Sequence, residues 1–255
     1  MKLWTGFLMA WGNFLALPCP VKKWDNDLKN IMLGFLPAIG FVIGGIWAGL
    51  CILLVLIGTP FYVLAFLLTF LLPALCGFLH LDGFMDCCDA ILSRRPQEEK
   101  QRILKDPGCG AFAVTGAIFM ILGCFCCLAT ALGTGVDFVE LWLIPVVSRS
   151  FAGLCVLLCR PIGHSQYAQG LGASDREQKK KAAAMIVIQL LVFCLAGLVP
   201  SVSKPATLLV IGIEALITLM AITLAKRSLG GMSGDIAGFG IVFGELAGIF
   251  AMLVL

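Results

Sequence analysis

The chain of 255 residues is 60% hydrophobic and only 13% charged, with a formal net charge of +3 and a mean hydropathy of +1.02. This composition excludes an ordinary soluble domain and predicts an all-α, polytopic transmembrane helical bundle in which residues 1–255 form a single integral-membrane domain. No stripe of basic and aromatic residues indicates a nucleic-acid partner, so we expect the lipid bilayer to be the protein's main surroundings.

The first 17 residues form an apolar stretch that begins with Lys2 and ends before Pro18-Cys19-Pro20. Trp4 and Trp11 lie within it, and no small-x-small cleavage pattern follows, which argues against a signal peptide. We therefore expect an N-terminal interfacial or re-entrant helix whose tryptophans lie at the level of the lipid headgroups.

Seven further apolar stretches are candidates for membrane crossings. They cover residues 31–57, 60–79, 111–133, 139–160, 182–199, 206–225 and 236–255. If the N-terminus lies in the cytoplasm, almost all of the 18 Lys and Arg residues fall on the cytoplasmic side, with Lys204 outside and Arg149 within a span. This asymmetry predicts a cytoplasmic N-terminus and an external C-terminus.

The most informative segment is His80-Leu-Asp-Gly-Phe-Met-Asp-Cys-Cys-Asp89, which directly follows an apolar stretch. Asp82, Asp86 and Asp89 are spaced i, i+4, i+7, which would place them within an arc of about 60° on one face of a helix. Because like charges at this spacing repel one another, the pattern indicates a hard, oxygen-seeking cation such as Mg²⁺. His80 could act as a base or phosphate donor, or be an interface histidine without a role, and His164 is equally ambiguous.

Two more polar segments fall at the cytoplasmic membrane edge. Pro96 to Lys105 has the character of a helix start, and Asp106 then returns to the edge that Asp82–Asp89 left. In Leu229-Gly-Gly-Met-Ser-Gly-Asp235 the glycines allow backbone amides to approach an anion. Asp235 opens the last helix, as its N-cap or within its first turn.

Arg149 and Glu245 lie inside apolar stretches, where a charged side chain needs a partner or a wet cavity. Arg149 could pair with Glu245 or hold a substrate phosphate, and the sequence leaves both open. Carboxylates, basic residues and glycine-rich backbone at one membrane face suit phosphoryl-group chemistry assisted by a metal ion.

Five segments in this order resemble the cobalamin synthases, the adenosylcobinamide-GDP ribazoletransferases of corrinoid biosynthesis. They are Phe14-Leu-Ala-Leu-Pro-Cys-Pro20, His80 to Ala90, Lys105-Asp106 through Phe112, Ser148-Arg149, and Gly230-Gly-Met-Ser-Gly-Asp235. The chain departs from that family's pattern at Ala90, where Gly is usual, at Cys87-Cys88, and at Ala16, where Arg is common.

The resemblance implies a multi-pass transferase of the bacterial cytoplasmic (inner) membrane that joins adenosylcobinamide-GDP to α-ribazole, or to its 5′-phosphate, and releases GMP. Its active site would be formed by the cytoplasmic segments 80–110, 145–181 and 226–245. The resemblance leaves open a homo-oligomer or an association with other late corrinoid enzymes.

The resemblance also implies roles for individual residues. Mg²⁺ would be held by aspartates, namely Asp82, Asp86 and Asp89, with Asp106 or Asp235 completing the shell. Either one of these aspartates or His80 would take the proton of the attacking α-ribazole. Substrate phosphates and neighbouring groups would be bound by Lys105, Arg149, Gly231, Ser233 and Gly234.

Two other functions stay open at this point. CDP-alcohol phosphotransferases also cluster aspartates at a membrane edge, but their motif continues Asp-Gly-x-x-Ala-Arg, whereas Asp82-Gly83 is followed by Phe-Met-Asp. A cation transporter would line a path with Asp82, Asp86, Glu245 and Arg149, yet the aspartates cluster on one side of the membrane. Ion flux into liposomes would indicate the transporter, and GMP release without an ion gradient would indicate the transferase.

Overall fold

The computed structural model describes residues 1–163 and 173–255, and within these ranges it contains eleven α-helices, one short 3₁₀ turn (Asn26–Leu28) and no strand. The helices are α1 (Lys2–Phe14), α2 (Lys29–Gly34), α3 (Leu36–Leu56), α4 (Phe61–Leu75), α5 (Leu79–Leu92), α6 (Gln97–Ile103), α7 (Ala111–Thr134), α8 (Phe138–Leu158), α9 (Ala173–Leu198), α10 (Lys204–Leu229) and α11 (Gly234–Val254).

Six of these helices are long and apolar enough to cross a membrane: α3, α7, α8, α10, α11 and α9 over Asp175–Leu198. Helices α4 and α5 pass the same test only together, and they are bent by 88° at the break between them. The predicted all-α, multi-span bundle is therefore confirmed, with six straight candidate spans and one bent pair where seven crossings were predicted. The predicted N-terminal helix is present as α1.

The bend explains why the stretch 60–79 is not one straight helix. Pro73 lies in the last turn of α4, and Gly77 and Phe78 then adopt positive φ angles of 59° and 61°. For a residue with a side chain, such as Phe78, this left-handed conformation costs roughly 1–2 kcal/mol. Two local hydrogen bonds accompany it, from the N–H of Gly77 to the carbonyl of Ala74 and from the N–H of Phe78 to that of Pro73, both at 2.9 Å. The predicted stretch 31–57 is also divided, because Phe35 separates α2 from α3, which has a proline in its first turn.

Glycines bring α3 and α8 into backbone contact. A Cβ atom on Gly40 would overlap the carbonyl oxygen of Pro145, and one on Gly44 would overlap that of Trp142. Small residues permit such close approach between membrane helices, where packing rather than the hydrophobic effect drives association. This contact fixes α8, which carries Arg149, against the centre of the bundle.

The predicted cytoplasmic segments meet at one end of the bundle. Helix α5 packs against α7 and α11. A two-residue bridge joins the end of α8 to the turn before α11: Ile162 donates its N–H to Met232 at 2.9 Å, and Met232 donates its own to Arg160 at 2.9 Å. Part of the predicted segment 145–181, with His164, lies outside the described residues.

Replacing Gly44 with Ala should lower the free energy of unfolding by about 1–3 kcal/mol, because the new Cβ would overlap the backbone of α8. Gly49→Ala is the matched control, since a Cβ there meets nothing within 4 Å, and it should be neutral or slightly stabilising. Thermal unfolding in a mild detergent measures both, and equal melting temperatures would contradict the close contact of α3 and α8.

Candidate active site

The acid-bearing segment forms the helix α5, which is the condition under which the i, i+4, i+7 spacing places the three aspartates on one face. Asp82 is exposed, whereas Asp86 and Asp89 are half-buried on the same helix. Asp86 interacts electrostatically with Asp82 and Asp89 and also with Asp235 of α11. The structure thus brings acidic residues from two helices together at one end of the bundle.

Asp89 is engaged by the start of α7. Its carboxylate accepts the backbone N–H of Gly110 at 2.6 Å and that of Ala113 at 2.9 Å. These N–H groups belong to the first turn of α7, which has no partner for them within the helix. Both oxygens of Asp89 therefore cap α7. A role for Asp89 as a metal ligand stays a prediction, and it would need oxygen lone pairs other than the two that accept these hydrogen bonds.

Asp235 reaches α5 because of a glycine on the facing helix. A Cβ on Gly83 would lie 2.7 Å from the Cα of Asp235, so no other residue fits at this crossing without a shift. The sequence left open whether Asp235 is the N-cap of α11 or lies in its first turn, and the structure shows the second position. Ser233 is the N-cap and its hydroxyl accepts the N–H of Ile236 at 3.3 Å, while donating to a carboxylate oxygen of Asp235 at 3.2 Å. A serine hydroxyl can hold both bonds at once, so Asp235 is left to face α5 from the first turn.

The glycine-rich turn before α11 is shaped by close packing. Gly230 has a φ of 85°, which suits glycine, and a Cβ on Gly231 would lie 2.8 Å from the backbone nitrogen of Ile162. Gly231, Ser233 and Gly234 were predicted to bind substrate. They lie in this turn beside Asp235, and their binding role remains a prediction.

Lys105 and Asp106 lie in the exposed connection between α6 and α7. The carboxylate of Asp106 accepts the N–H of Gly108 at 2.8 Å, which stabilises the turn locally. Asp106 is not among the carboxylates that interact with Asp86, so its predicted place in a metal shell has no support from this arrangement.

Across residues 1–163 and 173–255, no three His, Cys, Asp or Glu side chains are arranged as a ready-made metal site. The donor chemistry nevertheless fits Mg²⁺. This ion keeps several waters and binds through one or two carboxylates together with substrate phosphates, so a closed protein cage is not expected. Asp82, Asp86 and Asp235 carry oxygen atoms of the kind that it prefers, and their role as its ligands remains a prediction.

Arg149 is paired within the bundle. Its guanidinium is 1% exposed, lies 2.6 Å from the carboxylate of Glu245 and donates to the sulfur of Cys76 at 3.1 Å. A third bond, to the carbonyl of Pro145, measures 3.1 Å. Of the two predicted roles, the structure shows the pair with Glu245. This pair links α8 to α11, and the bond to Cys76 links α8 to the end of α4.

Glu214 is a buried acid that the sequence analysis missed. It is 0% exposed on α10, and one oxygen accepts the backbone N–H of Ser148 at 3.1 Å, while the other has no hydrogen-bond partner. The signal was visible in the sequence, because a carboxylate inside an apolar stretch calls for a partner.

His80 is 8% exposed, and its Nε2 atom has no hydrogen-bond partner. Together with Cys76, Arg149 and Glu245 it lines a cavity of about 60 Å³ between α4, α7 and α11. His80 therefore faces the ion pair inside the bundle, six residues before Asp86 on the same helix. A direct role as a base at the aspartates remains a prediction.

Comparison with known proteins gives a consistent result. Residues 6–253 match the family described as cobalamin-5-phosphate synthase. Relatives named adenosylcobinamide-GDP ribazoletransferase include those of Clostridium perfringens strain 13, 33% identical over 96% of this chain and 95% of the relative, and Clostridium botulinum strain Alaska E43, 31% identical over 98% and 97%. The relative from Deinococcus radiodurans is 32% identical over 83% of this chain and 71% of its own length. No solved structure matches the chain significantly.

Arg149→Met should lower the free energy of unfolding by about 3–5 kcal/mol, because it leaves Glu245 buried without its partner. The double variant Arg149→Met/Glu245→Leu should recover most of this loss. Thermal unfolding of the wild type, of the single variants Arg149→Met and Glu245→Leu and of the double variant in detergent measures the effect. Arg227→Met is the control at an exposed arginine. Additive losses in the double variant would contradict the pair.

Asp89→Ala should lower the free energy of unfolding by about 1–2 kcal/mol, since it removes the cap of α7. Asp82→Ala is the matched control on the same helix face, because Asp82 is exposed, and its loss should leave stability unchanged. Melting temperatures measured in EDTA exclude a contribution from metal binding. An equal effect of both substitutions would show that Asp89 does not act as a cap.

Proposed function

Because the chain belongs to the cobalamin-5-phosphate synthase family, we propose that it joins adenosylcobinamide-GDP to α-ribazole, or to its 5′-phosphate, and releases GMP. The observation that carries this proposal is the group of acids at one end of the bundle. Asp86 interacts electrostatically with Asp82 on its own helix and with Asp235 of α11, whose backbone packs against Gly83. Such a group of acids suits a diphosphate substrate that is bound together with a cation.

Asp82, Asp86 and Asp235 would hold Mg²⁺, whose charge would neutralise the diphosphate and the leaving GMP. Asp82 is exposed and open to the aqueous phase, whereas Asp86 is half-buried between the two helices. The turn that Ser233 caps presents backbone N–H groups at the start of α11, where an anionic group of the substrate would be stabilised.

The reaction is a displacement at phosphorus. The acceptor oxygen of α-ribazole forms a bond to the phosphorus on the cobinamide side, and the bond from that phosphorus to the GMP oxygen breaks. The proton of the attacking hydroxyl passes to a carboxylate, for which Asp86 is our choice because it is the central acid of the group. With α-ribazole 5′-phosphate as the acceptor, a hydroxyl attacks in the same way and the 5′-phosphate is carried unchanged into the product, so the same proton has to be removed.

We further propose that the protein lies in the bacterial cytoplasmic membrane with the aspartates on the cytoplasmic side. The distribution of Lys and Arg supports this orientation, and so does the position of the acids and the turn at Gly231 at one end of the bundle. A nucleotide-linked, water-soluble substrate would then reach the site from the cytoplasm.

A cation transporter is less well supported. Its path through the membrane would depend on Arg149 and Glu245, which neutralise each other at 2.6 Å. The similarity to transferases over nearly the whole chain also favours the transferase over a CDP-alcohol phosphotransferase.

Purified protein in detergent should release GMP from adenosylcobinamide-GDP and α-ribazole only when Mg²⁺ is present. Asp82→Asn and Asp86→Asn should each lower kcat/KM by about 100-fold or more, with melting temperatures close to that of the wild type. Lys204→Gln, at an exposed lysine away from the acids, is the control. Full activity of both aspartate variants would overturn the assigned site, and a folded wild type without turnover would overturn the function.

A further inference from the structure

A second cleft lies between α1 and the segment 15–24 that follows it. It has a volume of about 580 Å³ and combines apolar walls, such as Leu8 and Met9, with a polar rim formed by Asn13, Lys22 and Lys23. This volume falls within the roughly 300–1,000 Å³ typical of small-molecule sites. None of the groups proposed above for the reaction lies in it.

The segment that closes this cleft is held in place by side chains. The indole N–H of Trp11 donates to the carbonyl of Leu17 at 3.1 Å. The thiol of Cys19 lies 3.6 Å from the carbonyl of Leu8 and 3.3 Å from that of Val21. These bonds tie the segment both to α1 and to itself, so the cleft is a built feature rather than a gap beside a loose loop.

The rim of the cleft carries positive charge that is not neutralised. Lys22 and Lys23 are exposed, and the ion pairs found among the described residues involve neither of them. The nearby carboxylate of Asp25 accepts the backbone N–H of Asp27 at 3.0 Å instead. Two adjacent ammonium groups without a carboxylate partner indicate an anionic ligand.

The cleft adjoins the entrance to the acid-bearing helix. Ala16, which lines it, donates its N–H to the carbonyl of Leu75 at 2.8 Å, and a Cβ on Gly77 would lie 3.8 Å from the Cβ of Ala16. Residues 75–77 form the bend from which α5 begins. A ligand in the cleft therefore lies next to the turn that leads into the acid-bearing helix.

A phosphate-bearing substrate also needs a cation other than Arg149. That guanidinium is 1% exposed and already paired with Glu245, and the aspartates around Asp86 repel an anion when no metal is bound. Lys22 and Lys23 offer the missing positive charge. Trp24, whose side chain is 57% exposed at the rim, offers a flat surface on which an aromatic ring can stack.

We infer that this cleft binds a nucleotide, with the phosphate on Lys22 and Lys23 and the base against Trp24 and the apolar wall. Resting on the proposed function, the nucleotide is the guanosine phosphate end of the activated substrate, which leaves as GMP. The amide of Asn13 provides a donor and an acceptor for the edge of a base. An anionic lipid headgroup would supply the same phosphate but no ring to stack.

The test measures binding of GMP alone to the purified protein in a neutral detergent, by equilibrium dialysis. Lys22→Gln/Lys23→Gln should weaken GMP binding by about tenfold or more. Ala16→Arg in that double variant should restore part of the affinity, because position 16 lines the same cleft. Trp24→Ala should also weaken binding, and Lys204→Gln is the lysine control that should leave it unchanged.

Unchanged GMP affinity in the double lysine variant would overturn the inference. So would a double variant that binds GMP normally yet binds less to vesicles containing phosphatidylglycerol than the wild type does, because the site would then serve lipid. If GMP binding depends on Lys22 and Lys23 but the protein does not turn over adenosylcobinamide-GDP, the proposed function is contradicted and the inference about the cleft still stands. If the wild type turns over normally and the double lysine variant has the same GMP affinity and the same KM, the nucleotide site in the cleft is contradicted while the proposed function stands.

Discussion

The arrangement of the helices depends on providing partners for one buried positive charge, the guanidinium of Arg149. A guanidinium without partners is very unfavourable in such surroundings, and Arg149 obtains partners from Glu245, Cys76 and the carbonyl of Pro145. Those partners belong to α11, to the end of α4 and to its own helix. These contacts therefore require α4, α8 and α11 to keep fixed positions relative to one another. Helix α5 begins shortly after one of them, the contact at Cys76.

That arrangement places the acids. The sulfur of Cys76 is held by Arg149 at the point where α4 ends, and the chain then turns through 88° into α5. Because Glu245 lies on the same helix as Asp235, the ion pair holds α11, while the bond to Cys76 holds the end of α4, from which the chain turns into α5. The buried pair is thus connected to the site through rigid helices, although it lies deeper in the bundle than the aspartates.

Sequence reasoning succeeded where the information is local. The i, i+4, i+7 spacing of Asp82, Asp86 and Asp89 fixes their common helix face whatever surrounds them, and long apolar stretches indicate spans on their own. It failed where a residue's role depends on distant packing. The partners of Asp89 are the N–H groups of Gly110 and Ala113, and nothing in the local sequence shows that α7 begins beside this carboxylate.

The crossing of α5 and α11 has a consequence for how the site can change. Gly83 meets the backbone of Asp235, and a Cβ on Gly238 would lie 2.8 Å from the carbonyl oxygen of His80. The distance between α5 and α11, and with it the separation of their carboxylates, is therefore set by direct contact of the two backbones. No side chain lies between the backbones at which a substitution could change this distance gradually. A new ligand specificity would have to arise in the loops around this crossing, since any enlargement at the crossing itself would force the two helices apart.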